Sequence, residues 1–263
     1  MLKHPTSPTP NYPRSTSPLP APANYQPTTA SAAVKRYKYL RRLYKFDQMD
    51  FEFAAWQMVY LFVSPQKVFR SFNYRKHTKS QFARDDPAFL VLLCVWLFLS
   101  SVCFALAIGL NWGQLVLFVL FVVFVDFVGA GIFVSTIFWY LINKYLRRDP
   151  AATEVEWGYT FDVHINAFFP PLSLLHCFQI ILFNDLLQGH GFVPCLVANT
   201  FWLASVIYYL YITFLGYSNL PMLQNARVFL LPLPILVVAY FCTLIAKWNL
   251  SQMLIDFYHY RLF

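Results

Sequence analysis

Residues 85–142 read DDPAFLVLLCVWLFLSSVCFALAIGLNWGQLVLFVLFVVFVDFVGAGIFVSTIFWYLI. Two long apolar runs are separated only by Asn111-Trp112-Gly113, and each exceeds the roughly 20 residues that a helix needs to cross a bilayer. The start of the first run is well marked. Asp86 suits a helix N-cap and Pro87 a first helical residue. The short break implies an antiparallel helical hairpin.

Three more apolar stretches follow, and together they predict five spans near 88–110, 114–142, 164–187, 192–215 and 228–246. Composition agrees. Hydrophobic residues make up 58% of the 263 residues and charged residues 12%, about half the charge of an ordinary soluble domain. So few charges cannot cover so much apolar surface in water. The predicted fold is all-α: a polytopic membrane protein with five transmembrane helices. The cysteines Cys94, Cys103, Cys177, Cys195 and Cys242 form no CxxC pair and sit in apolar surroundings, where small buried hydrophobes are the natural reading.

Working outward, residues 1–34 hold eight prolines among Ser, Thr and Ala. They read as a disordered tail with no secretory signal, which leaves insertion to the first span. Residues 35–45, KRYKYLRRLYK, carry six basic residues interleaved with Tyr and Leu. Anionic lipid, an acidic partner, RNA phosphates or simple orientation of the chain all suit such a segment. Phe46, Met49, Phe53, Trp56, Tyr60 and Val63 recur at helical steps. Their stretch is too short to span, so it predicts an amphipathic interfacial helix before the five spans. Residues 64–86 complete a basic cytosolic segment, 35–86, ahead of the spanning domain, 87–263.

Charge sets the orientation. Residues 1–86 hold 14 Lys and Arg against 5 Asp and Glu, a net of +9; residues 87–263 hold 6 against 7, a net of −1. A cytosolic N-terminus places 16 Lys and Arg on the cytosolic side, from residues 35–86, 143–163 and 216–227, against Lys247 and Arg261 opposite. Five spans then leave a short C-terminus in the lumen. The sequon Asn249-Leu250-Ser251 lies there, so close to the membrane that little or no glycan is expected.

Polar residues inside spans are costly and require an account. The candidates are Asp126, midway along the second span, Asn166 and His176 on the third, and Asn199 on the fourth. Asp126 facing His176 makes a buried pair suited to an ion relay or a small-solute carrier. Interhelical hydrogen bonding is the competing account. A carrier built from repeats is disfavoured, because five spans do not divide into equal halves. Asp162-Val163-His164 reads as a cap where the third span meets the surface. No metal-binding, nucleophile-elbow or phosphate-loop motif is present, and neither an enzyme nor a cofactor is predicted.

Three blocks carry a resemblance: Asp47 to Phe89, DQMDFEFAAWQMVYLFVSPQKVFRSFNYRKHTKSQFARDDPAF; Glu156 to Pro170, EWGYTFDVHINAFFP; and Tyr211 to Pro221, YITFLGYSNLP. With the five-span layout they resemble the Unc-fifty family of Golgi multi-pass membrane proteins, over about residues 37–263, with the proline-rich tail outside. The resemblance implies a Golgi membrane location with the N-terminus cytosolic and the C-terminus lumenal. It also implies vesicular transport and cell-surface delivery of membrane proteins, nicotinic-type acetylcholine receptors among them. A link to the guanine-nucleotide exchange factors of Arf GTPases and an ascribed RNA binding come with it, and no catalytic residues.

The expectation for this chain is therefore a trafficking factor whose cytosolic face recruits an exchange factor. Lys67, Arg70, Arg75, Lys76 and Arg84 are the charged candidates for acidic partners or lipid headgroups, and Phe69, Phe72 and Tyr74 the apolar anchors. The same residues also read as contacts that merely dock the segment onto the bundle. A carrier, or a chaperone for receptor subunits acting through the spans, are the alternatives.

Overall fold

The computed structural model describes residues 32–71, 82–84, 86–149, 154–187 and 191–262. Among these, regular structure is helical, and Arg147 and Leu223 form an isolated β-bridge. Two helices lead: α1, Ala32–Leu43, and α2, Phe51–Val63. Five are long and apolar enough to span a membrane: α3, Ala88–Ala107; α4, Trp112–Leu146; α5, Trp157–Leu182; α6, Phe192–Ser218; and α7, Ala226–Ile245. A last helix, α8, covers Leu250–Leu262. The five-span fold stands as predicted.

The helix starts follow local chemistry. Asp86 Oδ1 accepts a hydrogen bond from the Ala88 amide (3.0 Å) at the start of α3, one residue later than predicted, with Pro87 in the N-cap position. Its other oxygen accepts from the Asp50 amide (2.9 Å), while Asp50 caps α2 by accepting from the Phe53 amide (2.8 Å). One carboxylate thus joins the starts of two helices. At α4 the side chains of Asn111 and Gln114 each accept from the other's backbone N–H, a reciprocal capping box.

Several boundaries differ from expectation. The α4 helix runs 35 residues, about 50 Å at helical rise against a hydrocarbon core of about 30 Å. It contains nine residues of π-helix, Phe121–Gly129, around Asp126. The α5 helix starts at Trp157, seven residues before the predicted 164. Asp162 is therefore buried inside a helix, and does not cap its surface end. Pro170 and Pro171 also lie within α5, which continues past them through a π turn at Leu174–Phe178, and a second π turn, Phe183–Leu187, follows its end. Shifts in backbone pairing of this kind are how membrane helices absorb proline.

The 13-residue α2 is too short to cross. It packs on α3 and α5 through Ala54, Gln57 and Leu61, and buried Val68 continues that face at residues 65–71, which are also helical. The predicted aromatic stripe is a different face: Phe53, Trp56 and Tyr60 line up along the flank, with ring centroids 5.5 and 4.3 Å apart.

The predicted short tail after residue 246 is also different. Lys247 takes a left-handed conformation (φ 54°) and Asn249 starts α8, its Oδ1 accepting from the amides of Ser251 and Gln252. The α8 helix turns back alongside α4 and α6. Tyr258 packs between Phe104 and Phe118, with centroids at 6.1 and 4.9 Å. By contrast, α7 buries nothing in its apolar window and leans on α6.

Candidate functional site

The loops at one end of the bundle form a single folded layer, here the basic end. After α4, the Arg148 amide donates to Met222 O and the Gln224 amide donates to Leu146 O, both at 2.9 Å, which ties the stretch that follows α4 to the 219–225 loop. Asn143 fixes Val155 through two hydrogen bonds, at 2.8 and 3.1 Å. Beneath this lies a small core of Ile142, Val155, Tyr159, Val163, Tyr217 and Leu220.

The segment before the spans is fastened into the same layer. The Ala83 amide donates to Glu156 (3.3 Å), the Arg84 amide to Asp162 (2.6 Å) and the Arg84 guanidinium to Asn166 (2.6 Å). That guanidinium also sits 4.3 Å from the centre of the Phe89 ring. Tyr39 of α1 approaches the same cluster, and burial, followed by the Asp162 charge, raises its phenol above the ordinary value. Phe69 is fully buried against Gly216.

These contacts sort the predicted surface. Phe69 and Arg84 face the bundle, where they hold the segment in place. Lys67 and Arg70 are exposed, with the Lys67 amine 5.2 Å from the Tyr60 ring centre. Phe72, Tyr74, Arg75 and Lys76 lie outside the described residues.

The chain is matched by the UNC-50 family profile over residues 39–259. It is 51% identical to the protein unc-50 homolog of Drosophila melanogaster over 269 aligned residues, covering all of this chain and 98% of the fly protein. It is 50% identical to the homologs of Homo sapiens and Danio rerio, covering 88% of this chain and 90% of each relative. The chain belongs to the UNC-50 family. The fly alignment takes in the proline-rich tail, which the sequence reading had placed outside the resemblance. No solved structure matches.

The intramembrane polar residues of this UNC-50 protein fall into separate places. Asn199 is a clasp: its Nδ2 donates to Trp248 O (2.8 Å) and Thr243 Oγ1 (3.1 Å), and its Oδ1 accepts from the Leu250 amide (3.0 Å). It joins α6, α7 and α8. Asn166 holds Arg84. His176 is buried beside the Phe104 ring, centroids 5.0 Å apart, and its Nδ1 meets no hydrogen-bond partner. The expected pairing of Asp126 with His176 does not form. Asp126 turns to Arg261 of α8, whose Nη1 donates to both carboxylate oxygens at 2.9 and 3.1 Å. The guanidinium lies 4.0 Å from the centre of the Phe121 ring.

Arg261 is the residue the sequence reading missed as a site residue. In the sequence it lies beyond the last apolar run, which ends near residue 246, and so reads as a charge outside the membrane. The available signal was a basic residue in an aromatic context, FYHYRLF at 257–263, in a chain with an unmatched acid in a span. Near the basic end, His164 Nδ1 and Tyr209 OH make a second buried pair, at 2.8 Å.

Proposed function

We propose that the chain is a Golgi trafficking factor. In this reading it lies with its basic end in the cytosol and supports the transport of membrane proteins, nicotinic-type receptors among them, by recruiting an Arf guanine-nucleotide exchange factor. The observation that carries the reading is the folded basic end. Three described stretches far apart in sequence, 64–71 with 82–84, 143–149 with 154–156, and 219–225, are joined into one layer by hydrogen bonds and by the packing of Phe69 on Gly216. That layer leaves Lys67, Arg70 and Arg148 exposed. A rigid scaffold bearing exposed charge is what a peripheral partner needs for a defined orientation. The residues at 72–81, which hold Phe72, Tyr74, Arg75 and Lys76, supply the apolar anchors and further charge of the proposed surface.

Membership of the UNC-50 family supports the reading. The test is photo-crosslinking from Lys67 and Arg70, the two exposed positions, in intact Golgi membranes. An Arf exchange factor among the adducts is the expected result. Adducts restricted to lipid or to the protein's own loops would remove the proposed surface.

A further inference from the structure

We propose that the cleft closed by α8 is a lateral recognition site for a transmembrane helix that carries a basic residue, with Asp126 as its anchor and Arg261 as its resident occupant. Four observations carry this. The first is placement. Asp126 lies near the middle of the long α4 helix, where an ionised carboxylate in hydrocarbon demands a cation. The second is access. The Asp126 side chain keeps 35% of its surface uncovered and its neighbours Phe124 and Val125 point outward. The pair sits at the rim of the bundle rather than at its centre, with Asp126 the more exposed partner.

The third is the nature of the occupant. The α8 helix is 13 residues long and carries Gln252, Asp256, His259 and Arg261. It is the least apolar helix among those that follow residue 87. Its cleft is lined by groups that suit any helix with a cation and an aromatic residue at successive turns: Phe104 and Phe118 around Tyr258, then Phe121 and Asp126 around Arg261. The fourth is the tether. A tight link with Lys247 in a left-handed conformation attaches α8 to α7, itself the span least held by the bundle. A client helix with a Lys or Arg at mid-membrane offers Asp126 the same charge and a full-length apolar surface besides. The site would sense unpaired basic residues in membrane clients, which gives the trafficking reading above a class of cargo and rests on it for its purpose.

The contact is tested without any trafficking step. The full-length protein, with a photo-crosslinker in place of Val125, is reconstituted in phosphatidylcholine vesicles with a synthetic Leu/Ala transmembrane peptide bearing one central Arg, or Leu at the same place. The Arg peptide is expected to give more adduct than the Leu peptide. R261Q should raise its yield on the order of tenfold, and D126N should return it to the Leu level. R261K, which keeps the cation, should behave as the parent and shows that α8 remains seated. Equal adducts from the Arg and Leu peptides, or no dependence on Asp126, would overturn the proposal while leaving recruitment at the basic end untouched. Failure of the exchange-factor crosslink would leave this result unaffected.

Discussion

Phe69 packs against Gly216 so closely that a β-carbon at 216 would lie 3.3 Å from the Phe69 ring and 2.8 Å from both methyl groups of Val163. The glycine lets the segment before the spans, α5 and α6 meet at one point. Tyr159 seals the contact by donating to Gly216 O at 2.6 Å. Gly216→Ala should therefore destabilise the protein by about 1–3 kcal/mol through overpacking. A lowered thermal transition in detergent, with earlier proteolysis of the segment before the spans, is the expected readout. An unchanged transition would mean that the three elements do not touch there.

Asp162 and Arg84 predict a more local effect. Asp162 accepts from the Arg84 amide inside a buried surround. Asp162→Ala removes the acceptor of that buried amide, at a cost of about 1–3 kcal/mol. Residues 82–86 should become protease-sensitive while the five spans stay folded. Arg84→Lys should restore little, since a lysine amine cannot reproduce the bond to Asn166 and the stacking on Phe89 together.

The Asp126–Arg261 pair predicts a reciprocal exchange. Removing one partner of a desolvated pair costs about 3–5 kcal/mol, because the other charge is left alone. Asp126→Arg and Arg261→Asp should each lower the yield of folded protein, measured by size-exclusion profile. The double exchange should recover much of the loss. Additive damage in the double variant would show that the two side chains act independently.

Asn249 offers a test with a chemical readout. Its Nδ2 donates to Leu187 O at 2.7 Å and its Oδ1 caps α8, so the amide that a glycan would modify is occupied on both sides. The folded protein should show no mobility shift on glycosidase treatment. Asn249→Ala should cost about 1 kcal/mol as a lost cap, with α8 the part to loosen first in hydrogen exchange.

The spans were legible because hydropathy at a 20-residue scale dominates everything else in this chain. Asp86 marked the start of α3, where its carboxylate accepts from the Ala88 amide, whereas Asn111, read only as part of a link, caps α4. Asp162 and His164 misled the boundary of α5, because polar residues near a membrane surface usually lie outside the helix, and here tertiary partners bury them within it. Phe69 and Arg84 carried no local mark of burial. Whether an aromatic and an arginine on a basic segment face a partner or the bundle depends on Gly216 and Asn166, which are far away in sequence. The α8 helix escaped for a related reason. Its apolar content is too low for a span, and its place depends on Asp126, 135 residues before Arg261.

That separation has a consequence in time. Synthesis at about 5–20 residues per second puts roughly 7 to 27 seconds between the two residues. Throughout that interval the second span holds an acid in the membrane with no arginine to meet it. The pair cannot close before Arg261 itself has been made and has left the ribosome. A truncated or stalled product never closes it and keeps an open carboxylate in the bilayer, where quality-control machinery can find it. The protein thus carries, in one hydrogen-bonded pair, a signal that its synthesis has passed Arg261.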